Sequence, residues 1–568
     1  MNFQKKLLPY ILLVASAFML WNAWEAEHAP KAPQNTTVIP VPAATAVNTQ
    51  TNSVPSTVEN IPSVPTASGQ TDKVNQQASN AQLIQVKTDL LEVAIDLNGG
   101  NLVQSSLLAY PQKQNQPQVP LSLFTSDAKK FYQAQSGFLS QSGQKETIVY
   151  TADKTSYTLA PDQKSLTVTL NGKSSAGISF VKAYTFYPAS YSIDENYSVI
   201  NNGSSAWNGY YYSQLVRSNE APDATDGTAR YTYFGAATST SEQHYNKVSF
   251  SSMDKEAVDL QKIKSGWVAM LQHYFVSALV PNKDQEVNFY SNVDSANHLY
   301  TIGVLSPMMS IEAGKSYQSS MKLYSGPATA KNLEAVAPNL KLTIDYGWLW
   351  FISIIIFWLM QHIHDIIGNW GWSIVLVTVV IKLIFYQLSA KSYRSMAAMK
   401  RLQPRIKVLQ ERFADNKQEL SKAMMELYKK EKVNPLGGCF PLLIQIPVFI
   451  ALYWVIVESV QLRQAPFIFW IHDLAMKDPF YVLPVIMGIT MFIQQKISPP
   501  PPDPMQAKVM MLLPVIFTVF FLQFPAGLVL YWIVNNSLSI SQQWYMMRKY
   551  SGEPIDNKKN HKKLEKKK

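Results

Sequence analysis

The sequence predicts a multi-domain chain. A polytopic α-helical membrane bundle, made of an N-terminal anchor plus five core helices, carries a large all-β sandwich outside the membrane and a helical hairpin on the cytoplasmic side. Three observations lead there. Apolar runs recur at lengths near the ~20 helical residues that cross a ~30 Å hydrocarbon core. Residues 81–333 instead show short alternating runs broken by turn residues, the pattern of many strands. Basic residues gather in two segments, as expected where a membrane protein faces the cytoplasm.

Composition supports this division. The chain has 568 residues, of which 47% are hydrophobic and only 16% charged. Its mean hydropathy is nevertheless near zero, so polar and membrane-like regions must alternate. The formal net charge is +11. Segment 391–432 holds twelve basic and five acidic residues, and the tail 548–568 holds nine and three. These two segments account for the whole excess, which argues against a general affinity for nucleic acid. Cys439 is the single cysteine, which excludes an intrachain disulfide and a cluster of several thiolates.

Residues 1–24 place two lysines before an apolar run that ends in Trp21 and Trp24. Tryptophans suit the membrane interface. The alternative is a cleaved signal peptide, but the A-x-A at Ala15–Ala17 falls inside the apolar run. An uncleaved anchor with a cytoplasmic N-terminus is expected. Residues 25–80 are rich in Ala, Pro, Thr, Gln, Asn and Ser. They lack the apolar surface to offset ordering entropy and read as a disordered linker.

The β region spans 81–333. Val93, Ile95 and Leu97 share one face of a strand, and Leu166, Val168 and Leu170 share another, followed by the turn Asn171-Gly172. Its many tyrosines suit either a sugar-binding face or half-buried strand positions. No acid pair or triad stands out.

The membrane core spans 341–545. Crossing by both 346–367 and 372–389 would put the basic segment 391–432 outside, against the positive-inside rule. Residues 346–367 are therefore expected to lie along the outer surface as an interfacial helix. His362, His364 and Asp365 read as polar-face residues, since side chains at i and i+2 diverge on a helix. Transmembrane helices are expected over 372–389, 440–460, 481–495, 509–523 and 528–545. Several are short for ~30 Å of hydrocarbon, which implies local bilayer thinning. In 391–432, Met396, Met399, Leu402, Ile406, Leu409 and Phe413 recur at helical spacing, as do Leu420, Met424 and Leu427. This predicts a cytoplasmic helical hairpin whose first arm is kinked or restarted at Pro404. Residues 546–568 form a basic cytoplasmic tail. Hairpin and tail are either solvated topology signals or docking surfaces for ribosomes and incoming chains.

One charge stands in the first core helix. Lys382 lies within WSIVLVTVVIKLIFYQLS, residues 372–389, with Thr378 one turn before and Tyr386 one turn after. A lone Lys at the middle of a spanning helix costs at least ~2.5–3.5 kcal/mol, so such residues face a polar cavity or a partner. The alternative is a Lys that snorkels to the interface. On the last helix Trp532, Asn535, Ser539 and Gln542 follow at helical spacing and can form a second polar wall.

The core resembles the YidC-type membrane protein insertases, in the form with a large periplasmic domain. The resemblance is carried by YGWLWFIS (346–353), GNWG (368–371), NPLGGCFPLLIQIPVF (434–449), QLRQAPF (461–467), WIHDL (470–474) and FPAGLVLY (524–531). It implies five core helices around a hydrophilic groove open to the cytoplasm and to lipid. It also implies a periplasmic β-supersandwich similar to sugar mutarotases, without their catalysis. The positive charge of the family's groove maps to Lys382, where Arg is usual; Lys keeps the charge but loses the bidentate fork. Other groove positions map to Thr378, Gln445 and Trp532, the last replacing a usual Tyr. Gln523 stands where an aromatic is common, and Asn535 joins the groove set. The implied partners are nascent membrane proteins, the Sec translocon, ribosomes and membrane lipid. The implied location is the bacterial inner membrane with both termini cytoplasmic. No enzymatic activity, cofactor, metal or small-molecule substrate is implied. Two rivals stay open: a secondary transporter with Lys382 as its intramembrane site, and a membrane-anchored periplasmic binding or scaffold protein.

Overall fold

The structure is a computed structural model that describes residues 82–174, 177–220, 232–413, 416–431, 433, 440–499 and 504–550. The expected anchor, the linker and most of the basic tail lie outside the described residues.

The first region is built from strands between Leu83 and Pro327. Among the described residues they form one sheet of eleven strands and one of nine. The first sheet is centred on Trp207–Ser218, which pairs with Tyr132–Ser140 on one side and Leu299–Leu305 on the other. The second runs through Ser192–Asn201, flanked by Ile178–Phe186 and Ser316–Pro327. These pairs are antiparallel, whereas Leu83–Lys87 meets Ser156–Thr158 in parallel. Period-two alternation decides which face is buried. Ile178–Phe186 alternates without a fault, burying Ile178, Phe180, Tyr184 and Phe186. Aromatic rings fill the space between the sheets. Phe138 and Phe180 meet at 4.6 Å, and Tyr197 stacks on Tyr211 at 3.5 Å.

Lys182 occupies an inward position of the same strand and is fully buried. Its ammonium donates to Gly99 O at 2.9 Å, Ser136 O at 2.7 Å and Ser136 Oγ at 2.9 Å, using its three N–H bonds. Glu195 accepts from Ser136 Oγ and Tyr184 Oη. Burial still pushes the Lys182 ammonium down to about 8, against the pull of Glu195. These groups are fully engaged with one another and hold the two sheets in register.

The second region is helical. We label its helices α1 (Trp350–Ile367), α2 (Trp370–Ile384), α3 (Tyr386–Arg412), α4 (Lys417–Lys430), α5 (Phe440–Glu458), α6 (Val482–Ile497), α7 (Pro504–Phe521) and α8 (Ala526–Tyr550). Gly368, at φ 73°, ends α1 in the left-handed conformation that favours glycine, and Asn369 caps α2 by accepting from Trp372 N. The apolar core joins Ile356 and Met360 of α1, Ile374 and Val377 of α2, Leu452 and Ile456 of α5 and Val529 of α8. Ser353 of α1 donates to Ala451 O of α5 at 3.1 Å. The opposite face of α1 exposes Trp350, Phe351, Ile354, Ile355 and Trp358. By length and composition alone α1 is long enough to cross a membrane; α2 with α3 qualifies only as a bent pair, and the apolar parts of α5, α6 and α7 are shorter.

The stretch 372–389 is not one straight helix. It breaks at Phe385, and α3 leaves α2 at 67°. Phe385 N donates to both Ile381 O and Leu383 O, the tightening usual at a helix end. Lys382 therefore sits in the last turn of α2. Pro404 does not restart the first arm, since α3 runs through it to Arg412. Pro404 and Lys400, four residues earlier, are both exposed, so the carbonyl left without a partner faces outward. α3 and α4 pack through Leu402, Ile406, Met424 and Tyr428, and Arg405 pairs with Glu431 at 2.7 Å.

The two regions touch at one end of the bundle. Arg463, in the loop after α5, donates to Pro111 O at 2.9 Å and Gln112 O at 3.1 Å, near the tip of a β-hairpin. Gln114 at that tip donates to His472 O at 2.5 Å. His273 Nε2 lies 2.8 Å from Val457 O, the carbonyl one residue before the end of α5. Val460 and Ala475 join the apolar core of the β region.

Candidate functional site

A set of polar residues on the core helices, Lys382, Gln445, Asn535 and Ser539, lies at the end of the bundle away from the β region. Lys382 lies twelve residues into α2, or ~18 Å along it at ~1.5 Å per residue. Ser539 lies thirteen residues into α8, ~20 Å along. Gln445 stands only five residues, ~8 Å, from the start of α5, which runs the other way. All three thus share one depth, far from the loops that meet the β region.

At this depth side chains link the helices. The Lys382 ammonium donates to Ser539 Oγ at 2.6 Å, joining α2 to α8. The Ser539 hydroxyl donates to Asn535 O at 2.7 Å, which turns its lone pairs toward Lys382. Gln445 Nε2 donates to Asn535 Oδ1, joining α5 to α8. Gln542 Nε2 donates to Tyr386 O at 3.0 Å, beside the break at Phe385. A second polar face of α8 meets α6, where Asn536 donates to Thr490 Oγ1 at 3.2 Å. Buried polar groups require such partners, because each unmade hydrogen bond costs ~1–3 kcal/mol.

The sequence-selected residues fall into three groups. Lys382, Gln445 and Asn535 come together as one polar set around α8. Thr378 is buried, but its hydroxyl donates to Ile374 O on its own helix at 2.7 Å. Trp532 is half-buried among Phe449 and Phe521, with ring centroids at 4.8 and 5.4 Å. Its indole N–H has no acceptor among the described residues. Gln523 lies elsewhere, exposed in the turn between α7 and α8, where Lys477 Nζ approaches it at 3.4 Å. Its place before the FPAG turn puts it at the end of α8 that meets the β region.

Four participants were not singled out from the sequence: Asn536 and Thr490, which join α8 to α6, and two tyrosines. Tyr393 of α3 is buried and meets the Ser539 hydroxyl. Tyr531 is buried and meets Gln445. Tyr393 sits in a basic segment that reads as solvated, so no local pattern marks it. Tyr531 is offset by one position from the spacing that picked out Trp532.

His362 and His364 diverge as their spacing requires, while His364 Nδ1 lies 3.9 Å from Asp365 Oδ1. His362 Nδ1 lies 2.8 Å from Trp358 O, His364 stacks on Trp370 at 4.0 Å, and Asp365 accepts from Gln361.

Residues 83–359 match the family described as YidC periplasmic domain, and residues 362–553 match the family described as 60Kd inner membrane protein. A membrane protein insertase YidC of Legionella pneumophila (strain Lens) is 48% identical over 554 residues, covering 97% of this chain and 98% of the relative. The chain belongs to the YidC family of membrane protein insertases. The YidC of Stutzerimonas stutzeri (strain A1501) is 46% identical over 549 residues, covering 96% and 98% of the two chains. A solved structure described as an active YidC insertase with its first transmembrane domain resolved aligns over 82% of this chain and 94% of its own, at 17% identity and TM-score 0.38. As in other YidC chains, a β-rich periplasmic domain precedes a helical inner-membrane region. Membership in an insertase family sets aside the transporter and scaffold readings, and it assigns no enzymatic activity.

Proposed function

We propose that this chain inserts nascent inner-membrane proteins by passing their polar tails along the wall formed by Lys382, Gln445, Asn535 and Ser539, and then releases their apolar helices sideways into lipid. One observation carries the reading: the Lys382–Ser539 contact holds a cation and a linked set of amides and hydroxyls inside an otherwise apolar helix bundle. Crossing hydrocarbon leaves each polar group of a tail unpaired at a cost of several kcal/mol. A wall of donors and acceptors lowers that barrier. Trp532, three residues before Asn535 on α8, and Thr378, four residues before Lys382 on α2, belong to the helices that form the same wall. Gln523 lies outside this path.

The β region contacts the loop after α5, and the polar set lies at the opposite, inner half of the bundle. This supports a groove wetted from the cytoplasm and closed on the outside. α2 has 15 residues and α6 has 16, or ~23 Å of helix each, against ~30 Å of hydrocarbon. Short spans thin the bilayer locally and shorten the route further. α1, with its exposed aromatic face, lies along the outer surface, and α3 with α4 forms a hairpin in the cytoplasm. On this topology both termini are cytoplasmic. The basic hairpin and tail suit ribosomes, and insertion proceeds alone or with the Sec translocon, with the insertase also acting as a folding chaperone.

Photocrosslinkers placed at Thr378 and Trp532 during translation of a short membrane protein test the route. Adducts to the nascent chain at both positions are expected. Adducts absent at both, with crosslinks confined to the lipid-facing side of α6 and α7, would refute it.

A further inference from the structure

We infer that Ser539 is the positioning residue for the Lys382 ammonium: it holds the cation at working depth in the wall, and a substrate carboxylate displaces it during insertion. This inference rests on the groove reading above.

The geometry begins with the hydroxyl. Ser539 is buried and sits one turn after Asn535 on α8. Its proton is committed to Asn535 O at 2.7 Å, so the oxygen can only accept from Lys382. Tyr393 approaches the same hydroxyl from α3, just beyond the Phe385 break. Two helices, α8 and α3, therefore converge on the acceptor that meets the cation of α2.

The cation needs such an acceptor more than an arginine would. A Lys ammonium is a point charge on a flexible four-carbon stem, whereas a guanidinium is a rigid planar fork. Lys382 is in the last turn of α2, and Leu383 and Ile384 beside it are exposed. Without a fixed acceptor its stem can swing along the helix toward the inner boundary, as lysines near helix ends do. The Ser539 contact opposes that swing. Among the described residues Ser539 is the one acceptor of this ammonium, so N–H bonds remain for water or a substrate carboxylate. A neutral hydroxyl is a weaker partner than a carboxylate. The contact therefore holds the cation in place and still yields to an acidic tail.

The test compares two substrates differing only in whether the translocated tail carries acidic or neutral residues, inserted into vesicles containing the full-length insertase. Ser539→Ala is expected to lower the acidic-to-neutral insertion ratio about tenfold, a size in line with a hydrogen bond to a charged group. Ser539→Thr, which keeps the hydroxyl, is expected to restore the ratio. In a Lys382→Ala background Ser539→Ala is expected to have no further effect on it. An unchanged ratio in Ser539→Ala, or a change that persists without Lys382, overturns the positioning role. If Lys382→Ala alone leaves the ratio unchanged, the groove reading itself fails, and the two failures are thereby told apart.

Discussion

Lys382 of α2 and Ser539 of α8 meet at 2.6 Å although 157 residues separate them in the chain. The contact puts a cation and its acceptor on two helices that share the inner half of the bundle, with the Gln445–Asn535 contact beside it. The charge thus has a hydrogen-bond partner on another helix of the bundle.

Substituting the cation should discriminate by charge. Lys382→Ala and Lys382→Glu are expected to impair insertion of substrates with acidic translocated tails, Glu more than Ala, because like charges repel in a low-dielectric setting. Lys382→Arg is expected to be tolerated, since it retains the charge. Protease protection of inserted tails in reconstituted vesicles measures this, and equal insertion by the Ala and Glu variants contradicts it.

Gln445 and Asn535 should behave as a coupled pair. Either single alanine substitution leaves a buried or half-buried amide short of its partner, at ~1–3 kcal/mol. The double variant should be milder than the sum of the two, by a coupling of ~0.5–1.5 kcal/mol. Thermal unfolding of the detergent-solubilised protein reads it, and strict additivity would show that the contact carries no energy.

Arg463 fastens the periplasmic domain to the membrane core through Pro111 O and Gln112 O, and its guanidinium lies 5.9 Å from the Phe275 ring. Arg463→Ala should raise amide exchange at the hairpin tip, residues 110–118, while leaving the sheet centre at Ser192–Asn201 protected. Unchanged exchange at the tip would mean that Gln114, together with Gln464, whose Nε2 donates to Pro111 O at 3.3 Å, suffices to hold it.

The His273 contact predicts a pH effect. Burial lowers this imidazole from 6.5 to about 4, against the hydrogen bond to Val457 O, and the Arg463 charge lowers it further. Asp345 and Glu458 line the same small cavity. Because the folded value lies below the free one, the released state binds more protons between pH 6.5 and 4. Stabilisation from this group is complete above pH 6.5 and is lost as pH falls toward 4, by at most about 3 to 4 kcal/mol at ~1.36 kcal/mol per pH unit. The protection factors of the amides at Trp267–Gln272, taken relative to intrinsic exchange at each pH, should fall as pH drops across that range, and His273→Gln should flatten the fall.

Much of this arrangement can be read from the sequence because local pattern and burial agree. Strict alternation placed the strand around Phe180, and the Leu402, Ile406 and Met424 stripes marked two helices that pack on each other. The break at Phe385 left no such mark, since the residues around it include neither Pro nor Gly; Gln542 donates to Tyr386 O beside it, a contact from a distant helix that no local pattern reveals. Pro404, the obvious breaker, is accommodated where its face is exposed. In the site, helical spacing found Asn535 and Ser539 on one wall. It could not say that Thr378 would spend its hydroxyl on Ile374 O. Nor could it show that Gln523 would fall in a turn at the opposite end of α8, because depth along a helix depends on where the helix begins.

Solvent access to the polar wall is the most direct measure of the central claim. With Cys439 replaced by Ser, Gln445→Cys is exposed to a membrane-impermeant thiol reagent from the cytoplasmic or the periplasmic side of oriented vesicles. The account predicts labelling from the cytoplasmic side only, and protection when a stalled nascent chain occupies the groove. A thiol that stays unreactive from both sides, or reacts only from the periplasm, would contradict it.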